Sequence, residues 1–422
     1  MAYLDDIRTQ NERIGGQLGA GDRAFFALLH HMKDGEGFIN VSSASDMHVW
    51  QEAWPADMAE RFTTDFSVTA VTKYPPLVTR HEFMEREAAE FLSSVFSKDL
   101  NPTEVFLTNG SLTSPSMLMT ASPRPVVIYA DKCYTSQVAA FRAAGKQPIA
   151  CQTDVHGRLL LDDLETLLAG RDEAVAYIYL HHNEGAAATV DYLDALYELC
   201  ERYDTYLQYD ADVMATRHRD DVDPLLALDR RYRSRFIVLI NFSKEFNAPA
   251  IRIGLAIGNK DLVYEMKVYQ KHKIEMLPLP SIAIAKLLLC EADVHRSAAI
   301  FRQRMQQLVA HLQRRGWETR GPDVGINCFV PVPDSFLEAK QVSPGALFSY
   351  YIMKQAKVMV RPGVLHGEAL RHTVRFVVSP TYDEIDEVFA RFDTAGIHGN
   401  MSMPEGLEDA FMQEAAPYAH EA

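Results

Sequence analysis

Lys244 lies shortly after the apolar run from Phe236 to Ile240. It belongs to the segment Asn241-Phe-Ser-Lys-Glu-Phe-Asn-Ala-Pro-Ala-Ile-Arg-Ile-Gly254. Strand exits are where α/β folds bind ligands, and burying an unpaired ammonium is costly. Lys244 is therefore predicted either to be solvated or to have a covalent or charged partner. A lysine amine forms Schiff bases with carbonyl cofactors, and Arg252, eight residues later, could clamp an anion. Taken alone, the segment is also compatible with an ordinary surface loop.

A second segment has the composition of an anion site. Asn109-Gly110-Ser111-Leu112 follows the apolar run from Val105 to Leu107 and opens a predicted helix. Backbone N–H groups and the helix dipole bind phosphate at such positions. An Asn-Gly-Ser sequence by itself is also typical of a simple turn.

Together these segments resemble a known enzyme family. Ser243-Lys244, followed by Arg252-Ile-Gly and an apolar strand, is similar to the signature of fold-type I pyridoxal-phosphate enzymes of the aminotransferase class I/II family. Further parts of that family's site occur in chain order between about residues 36 and 395. The resemblance implies that Lys244 holds pyridoxal 5'-phosphate as a Schiff base and acts as general acid and base.

The resemblance also implies a full set of cofactor contacts. Tyr134, in Asp131-Lys-Cys-Tyr134, would stack on the pyridine ring, and Asn183 would hydrogen-bond the phenolic oxygen. The alternatives without a cofactor role are an ordinary loop tyrosine for Tyr134 and an ordinary turn asparagine for Asn183. The implied cofactor-binding residues are Gly110, Ser111, Leu112, Tyr134, Asn183, Asp210, Asn241, Ser243, Lys244, Arg252 and Tyr74.

Asp210 is the second residue to which the resemblance assigns a catalytic role. It ends the apolar run Tyr206-Leu-Gln-Tyr-Asp210, 34 residues before Lys244. A carboxylate there would keep the pyridine nitrogen protonated, so that the charged ring draws electrons from the substrate. Asp212, two residues further, is the alternative for this role.

The C-terminal part of the chain carries the implied substrate contact. The turn Pro362-Gly363 precedes Val374-Arg375-Phe-Val-Val, which matches the strand whose arginine binds a substrate α-carboxylate. Arginine can make two parallel hydrogen bonds to a carboxylate, which lysine cannot. Tyr74 matches a tyrosine that reaches the neighbouring subunit's phosphate, so the resemblance implies a homodimer. Candidates for side-chain selectivity are His366 and the stretches 40–45 and 46–50.

Three departures from the family pattern leave the reaction open. Val213 replaces the usual tyrosine, Asn241 replaces a serine, and the turn reads Asn183-Glu184-Gly185-Ala186. Weaker contacts to the phenolic oxygen would change how the cofactor is tuned. Transamination of an α-amino acid is the first hypothesis. Elimination, replacement, cyclisation or oxidation with the same cofactor is the second, and a non-catalytic binding or regulatory protein is the third.

Elements that could position these residues follow from the hydrophobic pattern. Seven short apolar runs, separated by amphipathic segments from residue 105 to 257, predict a mostly parallel seven-stranded sheet covered by helices. A smaller α+β domain is predicted to follow. The expected division is an N-terminal arm and part of the small domain (1–75), a large cofactor-binding domain (76–290), a small domain (291–396) and an acidic tail (397–422) whose weak patterning allows mobility.

Composition narrows the class and the compartment. The chain has 422 residues and a net charge of -15, which argues against sequence-independent nucleic-acid binding. Its five cysteines have no metal-ligand or disulfide-framework spacing, which favours a reducing, cytoplasmic location and no metal site. The N-terminus lacks the pattern of a signal peptide, and no apolar run suits a membrane span.

Overall fold

The computed structural model describes most of the chain. The described residues are 9–10, 18–32, 37–42, 49–58, 82–110, 113, 120, 122–155, 157–171, 173–181, 185, 187–213, 215–274 and 277–418. Four residues that the sequence assigns to the cofactor, Tyr74, Ser111, Leu112 and Asn183, lie outside them. The stretch 43–48, a candidate for substrate selectivity, also lies outside.

The larger sheet has seven strands, as the sequence predicts. They are β2 (Val105–Thr108), β3 (Val126–Ala130), β4 (Gln147–Cys151), β5 (Val175–His181), β6 (Tyr206–Asp210), β7 (Phe236–Asn241) and β8 (Gly254–Gly258). Their order in the sheet is β2-β8-β7-β6-β5-β3-β4, and every neighbouring pair is parallel except the two that involve β8. The fold class, α/β with a mostly parallel sheet, is therefore confirmed.

Helices cover this sheet on both faces. The central strands β5 and β7 are buried along their whole length, which explains their nearly continuous apolar sequence. The helices in this part of the chain are α3 (Glu82–Phe96), α4 (Thr135–Ala143), α5 (Leu161–Ala169), α6 (Val190–Arg202), α7 (Lys260–Ile274) and α8 (Leu279–Glu291).

The local sequence of helix α6, which precedes β6, explains both where the helix begins and which face it buries. The Thr189 side chain accepts a hydrogen bond from the N–H of Tyr192 and so caps the first turn. Leu193, Leu196 and Cys200 fall on one face and are buried, as their helical spacing predicts. This packing holds the crossover that delivers Asp210 to the edge of the sheet.

A second core forms around a smaller sheet with strand order β11-β12-β9. Its strands are β9 (Asn327–Pro331), β11 (Arg361–Pro362) and β12 (Thr373–Val377), and a separate pair joins β1 (Ile39–Asn40) to β10 (Val358–Met359). The helices with residues in this core are α1 (Ala20–Met32), α2 (Trp50–Ala53), α9 (Val294–Arg314), α10 (Pro344–Ala356) and α11 (Tyr382–Ala395).

Short 3-10 helices join several of these elements. They span Pro102–Glu104, Leu226–Leu228, Pro249–Ile251, Asp334–Glu338, Gly363–His366, Glu368–Leu370 and Ala416–Tyr418. None of the described helices has a stretch long and apolar enough to cross a membrane.

The acidic tail contains a last helix, α12 (Leu407–Ala415). Phe411 on this helix is fully buried and packs its ring against Phe25 of α1 and Tyr350 of α10. The Tyr350 hydroxyl donates to Glu414 at 2.7 Å. In the structure this part of the tail is therefore packed on the second core.

Candidate active site

Lys244 projects from a tight turn at the carboxyl end of β7. The side-chain oxygen of Asn241, the last strand residue, accepts a hydrogen bond from the N–H of Ser243 at 2.7 Å. The N–H of Asn247 donates to the Lys244 carbonyl at 2.7 Å, with Asn247 at a φ of 54°. These two bonds fold the chain back on each side of the lysine and fix where its side chain leaves the sheet.

The amine of Lys244 has a charged partner, one of the two possibilities that its sequence position predicts. Its Nζ lies 3.7 Å from Oδ2 of Asp212, and the two side chains are 19% and 9% exposed. Asp212 belongs to the loop that follows β6, whereas Asp210 is the last residue of that strand. The two candidate aspartates therefore face different partners.

Asp210 is buried at the carboxyl end of β6. One carboxylate oxygen, Oδ2, accepts a hydrogen bond from the Tyr179 hydroxyl at 2.7 Å, and the other, Oδ1, is buried and has no hydrogen-bond partner. Burial raises the pKa of Asp210 to about 7, while the charges of His181 and Lys244 oppose this rise and that of Asp212 adds to it. Such a carboxyl is poised to ionise when a cationic donor approaches Oδ1.

Tyr179 and His181 are site residues that the sequence analysis did not single out. Both lie on β5, two residues apart, so their side chains share one face. The sheet register places His181 opposite Asp210, and its Nε2 is 3.9 Å from the Asp210 carboxylate. A histidine ending an otherwise apolar strand was the available signal, but only the register connects it to Asp210.

Glu245, next to Lys244 in sequence, is a further residue that the sequence analysis missed. It is completely buried, and its Oε1 accepts from the N–H groups of Ala215 and Thr216 and from the Thr216 hydroxyl at 3.0–3.1 Å. Burial raises the pKa of this carboxyl, although these bonds work against the rise. Glu245 thus ties the Lys244 turn to the loop that carries Asp212.

Gly110 and Arg252 meet at the same edge of the sheet. Gly110 has a φ of +82°, and a Cβ built on it would lie 2.8 Å from Nη2 of Arg252. Arg252 itself adopts a left-handed conformation and donates from Nη1 to the Pro249 carbonyl at 2.9 Å. A loop glycine and a guanidinium from distant segments are thereby brought together, as an anion site requires.

Arg375 on β12 is buried rather than paired on the surface. Its Nη1 donates to Nε2 of His366 at 2.8 Å, and its Nη2 donates to the backbone carbonyl of Ser42. Because arginine can only donate, His366 accepts with an unprotonated Nε2. Glu384, an acid nine residues after Arg375 in sequence, caps its own helix through Thr381.

Tyr134 precedes helix α4 and faces the second sheet. Its ring centre is 5.4 Å from that of His366, and the Arg361 guanidinium carbon lies 5.6 Å from the Tyr134 ring. Burial alone would raise the pKa of Tyr134, but the charges of Arg361 and Arg375 and a hydrogen bond with Ser136 bring it below its ordinary value. His366, a candidate for selectivity, thus contacts both Tyr134 and Arg375.

Gly367 makes the contact between the two halves of the site possible. Its φ is +115°, and a Cβ at this position would lie 1.9 Å from the carbonyl oxygen of Asp131. Only a residue without a side chain lets the turn after His366 approach the loop that carries Tyr134 so closely.

A family model for aminotransferase class I and II matches residues 48–392. The chain belongs to the aminotransferase class I and II family. Members of this family use pyridoxal phosphate, so the chain is a pyridoxal-phosphate-dependent enzyme of the aminotransferase type. This confirms the family, cofactor and enzyme class that the sequence motifs imply.

Curated relatives are similar along most of their length. The chain is 24% identical over 335 residues to LL-diaminopimelate aminotransferase 2 of Nostoc sp. (strain PCC 7120), which covers 77% of this chain and 83% of that protein. It is 22% identical over 335 residues to L-glutamine--4-(methylsulfanyl)-2-oxobutanoate aminotransferase of Bacillus subtilis (strain 168), covering 77% of this chain and 81% of that protein.

Solved structures share the fold. The N-succinyldiaminopimelate aminotransferase of Mycobacterium tuberculosis superposes with a TM-score of 0.75 at 19% identity, over 91% of this chain and 99% of that one. An aspartate aminotransferase of Thermotoga maritima gives a TM-score of 0.73 at 19% identity, over 87% and 94% of the two chains.

The described residues fit the family's cofactor. The buried Oδ1 of Asp210 lacks a hydrogen-bond partner, which suits the N–H of a protonated ring nitrogen. Gly110 leaves space beside Arg252 that any Cβ would fill, which suits a phosphate held by backbone N–H groups and a guanidinium. Lys244 has the amine that the cofactor's carbonyl carbon needs.

Proposed function

We propose that this aminotransferase acts on an α-amino acid, with Lys244 and Asp210 as its catalytic residues. The observation that carries the proposal is the pairing of Lys244 with Asp212 at 3.7 Å, which leaves the buried Oδ1 of Asp210 for the cofactor ring. The two aspartates then have separate tasks. Asp210 would hold a proton on the ring nitrogen, and Asp212 would hold the Lys244 side chain in place.

When bound, pyridoxal phosphate supplies a ring that withdraws the electron pair released from the substrate Cα–H bond. Lys244 Nζ would remove and return the Cα proton as general base and acid. Asp212, 3.7 Å from Nζ, would hold the Lys244 side chain in position. The turn bonds from Asn241 and Asn247 keep the amine at the sheet edge while the proton moves.

The remaining contacts divide between phosphate and ring. Gly110, Arg252 and the turn formed by Asn241 and Ser243 support a phosphate site at the ends of β2 and β7, and Ser111 and Leu112 would extend it. Tyr134 would cover one face of the pyridine ring. Asn183 is proposed for the phenolic oxygen.

Arg375 is proposed to bind the substrate α-carboxylate. Arg375 is buried, and His366 and the Ser42 carbonyl accept hydrogen bonds from two of its nitrogens and so orient the guanidinium. An entering carboxylate would pair with this guanidinium through two parallel hydrogen bonds.

The cofactor attachment is tested by borohydride reduction of the purified enzyme followed by peptide mapping. The label is expected on Lys244, and Lys244→Ala should lose both the label and turnover. Lys267, which pairs with Glu85 at 2.7 Å, provides a matched control, since Lys267→Ala should keep the label on Lys244. Label on a different lysine of the wild type contradicts the assignment.

The reaction type is tested separately. The absence of the usual tyrosine at Val213 and the presence of Asp212 beside Lys244 favour keeping elimination, replacement, cyclisation and oxidation as a second candidate function. Incubation with amino donors and keto acids, with products identified by mass, should yield the keto acid of the donor and a new amino acid. Ammonia release or uptake of oxygen without amino transfer would favour the second candidate.

A homodimer in the cytoplasm is the proposed assembly and location. Tyr74 is proposed to complete the neighbouring subunit's phosphate site, and obligate dimer interfaces often exceed ~2,000 Å². None of the five cysteines forms a disulfide, which supports a reducing compartment. Size determination by light scattering should give a dimer at micromolar concentration, and a fully active monomer would contradict it.

The domain division is proposed as the sequence predicts it, with boundaries near residues 75, 290 and 396. The two separate hydrophobic cores support this division.

A further inference from the structure

The buried side chain of Glu245 connects the two segments that carry Lys244 and Asp212. Its Oε1 accepts hydrogen bonds from the N–H groups of Ala215 and Thr216, at 3.0 and 3.1 Å, and from the Thr216 hydroxyl at 3.0 Å. Glu245 is completely buried, and hydrogen bonds from backbone N–H groups to a carboxylate are among the stronger ones in proteins. The loop after β6 is therefore held by a side chain that belongs to the lysine turn.

The place of this contact along the chain gives it an effect on the Lys244 amine. Glu245 directly follows Lys244, and Ala215 is three residues after Asp212. A shift of the loop at Ala215 would therefore change the distance of 3.7 Å between Nζ of Lys244 and Oδ2 of Asp212. Glu245 can act on the amine without touching it, because both ends of the ion pair belong to segments that Glu245 joins.

The loop after β6 is also bonded to the segment that enters β9 of the small sheet. The N–H of Gly325 donates to the Thr216 carbonyl at 3.0 Å, and the N–H of His218 donates to the Asp323 carbonyl at 2.8 Å. The His218 ring donates from Nε2 to the Gly325 carbonyl at 2.6 Å. An antiparallel bridge at the residues between them completes the pairing. The loop thus has one contact with the lysine turn and another with the small sheet.

Thr216 is the residue at which these two sets of bonds meet. Its N–H and hydroxyl donate to Glu245, and its carbonyl accepts from Gly325, so the residue is held from both sides. Strand β9 begins two residues after Gly325 and pairs with the strand that carries Arg375. A series of hydrogen bonds and short chain segments therefore connects the Lys244 turn with the strand beside Arg375.

We propose that Glu245 is a positioning residue for the reaction. Through Thr216, it holds the Asp212 loop against the turn that carries Lys244 and fixes the amine relative to the small sheet. The inference rests on the proposed roles of Lys244 and Arg375. Glu245 acts as a hydrogen-bond acceptor and takes no part in proton transfer. A glutamine can replace it, because its amide oxygen can accept the same bonds, whereas alanine cannot.

The first measurement is amide hydrogen exchange of the full-length protein with saturating pyridoxal phosphate, resolved to single residues by mass spectrometry. In Glu245→Ala, the amides of Ala215 and Thr216 should exchange about 10-fold or more faster, as expected when a hydrogen bond to a charged acceptor is lost. The Gly325 amide should also exchange faster, because its acceptor is the Thr216 carbonyl. Unchanged exchange at Ala215 and Thr216 overturns the proposal, and so does a change at these two residues that does not extend to Gly325.

The second measurement separates kcat from KM, with the amino donor that the product assay identifies. Glu245→Ala should lower kcat by about 10- to 100-fold, since displacing a reacting group by ~1 Å can cost up to ~10²-fold. The KM for the amino acid should stay within about threefold, because Arg375 is unchanged. Glu245→Gln should recover most of the lost kcat and the slow exchange of Thr216. A loss that appears only in KM contradicts a positioning role toward Lys244.

Glu104 provides the matched control. It accepts from the N–H of Asn101 at 2.9 Å and pairs with the buried Arg233 at 2.7 Å. It precedes β2, at the amino end of the strand, and so lies at the opposite edge of the sheet from Lys244. Glu104→Ala should leave kcat within about threefold of the wild type and the exchange of Thr216 unchanged, although it removes an ion pair with a buried arginine.

The outcomes separate positioning from a general loss of stability. If Glu245→Ala speeds exchange over the whole protein and lowers kcat no more than Glu104→Ala does, Glu245 is only structural and the proposal fails. If Glu245→Gln is as slow as Glu245→Ala although its Thr216 exchange is restored, the charge matters rather than the hydrogen bonds, and the proposal fails as well. Failure of the borohydride label or of amino transfer would instead refute the proposed function, and hydrogen exchange would still decide the Glu245 contact.

Discussion

The site is built from two halves of opposite character. On the large sheet, Asp210 ends β6, and Asp212 in the following loop lies 3.7 Å from the Lys244 amine. On the small sheet, Arg361 and Arg375 lie across an antiparallel ladder. Carboxylates therefore lie near Lys244 on the large sheet, whereas the small sheet presents two guanidinium groups.

This contrast matches the charge distribution of an amino acid. An entering zwitterion would direct its ammonium group toward the acids around Lys244 and its carboxylate toward the arginines. The two halves touch where His366 and Gly367 meet the Tyr134 loop. The comparison teaches that, under the proposed roles, Arg375 on the small sheet would orient the substrate and Lys244 and Asp210 on the large sheet would carry the chemistry.

The largest expected effect comes from removing the anion-binding arginine, Arg375. Arg375→Ala should lower kcat/KM by about 30-fold to several thousand-fold, since losing one partner of a buried charge pair typically costs ~2–5 kcal/mol. Arg375→Lys should lose much of this because an ammonium lacks the planar fork. Steady-state kinetics with an amino acid and its decarboxylated amine measure the effect.

The amine provides the control for this comparison. The wild type should strongly prefer the amino acid, and Arg375→Ala should lose that preference. If the wild type turns over the amine equally well, the carboxylate role of Arg375 is wrong, and an amine or amino-sugar donor becomes the better hypothesis.

The second effect tests the acidic half. Asp210→Ala should reduce kcat by on the order of 10²–10³-fold, the usual loss when a preorganised electrostatic contact is removed. Asp212→Ala should cost less, because Asp212 acts on Lys244 through an ion pair that is partly exposed. A larger loss from Asp212→Ala would exchange the two roles. Kinetics of both variants, with bound cofactor quantified by absorbance, decides the ranking.

The third effect concerns stability and its dependence on pH. Burial raises the pKa of Asp210 from its ordinary value of 3.8 to about 7 in the folded protein. The folded state therefore binds more protons than the unfolded state between these values, and the free energy of unfolding falls as pH rises through that window. In the cofactor-free protein, Asp210→Asn should remove this penalty.

The expected gain for Asp210→Asn grows from pH 4 to pH 8 and reaches about 4 kcal/mol at most, at ~1.4 kcal/mol per pKa unit. Urea denaturation of the two cofactor-free proteins at pH 5 and pH 8 measures it. A difference that is the same at both pH values would show that Asp210 does not titrate in this range. The same substitution should weaken cofactor retention, so stability and function respond in opposite directions.

The smallest effect tests the contact between the two halves. Gly367→Ala should destabilise the protein by about 1–3 kcal/mol, because it forces a side chain into a positive-φ position against the Asp131 carbonyl. Gly396→Ala is the control: its φ is +66°, but a Cβ there would meet no atom within 4 Å. Thermal unfolding should show a larger loss for Gly367→Ala, and equal losses would mean that only backbone strain matters.

Local sequence was sufficient for the strands and for the residues at their ends. The apolar runs predict all seven strands of the large sheet to within a residue or two, because buried parallel strands need continuous apolar stretches. Strand β12 of the small sheet likewise coincides with the run Val374-Arg375-Phe-Val-Val to within one residue. Asp210 was recognisable because it ends such a run, and Lys244 because it lies three residues after strand β7.

Tertiary structure alone decided which side chains meet. Tyr179 and His181 reach Asp210 through the register between β5 and β6, and Arg361 meets Arg375 through the register between β11 and β12. Register depends on how whole strands pair, which short-range spacing does not specify. The sequence by itself therefore determined the secondary-structure elements and the family. The different partners of Asp210 and Asp212 and the pairing of the two arginines were decided by the folded chain. Both arise from contacts between strands, which sequence periodicity does not encode.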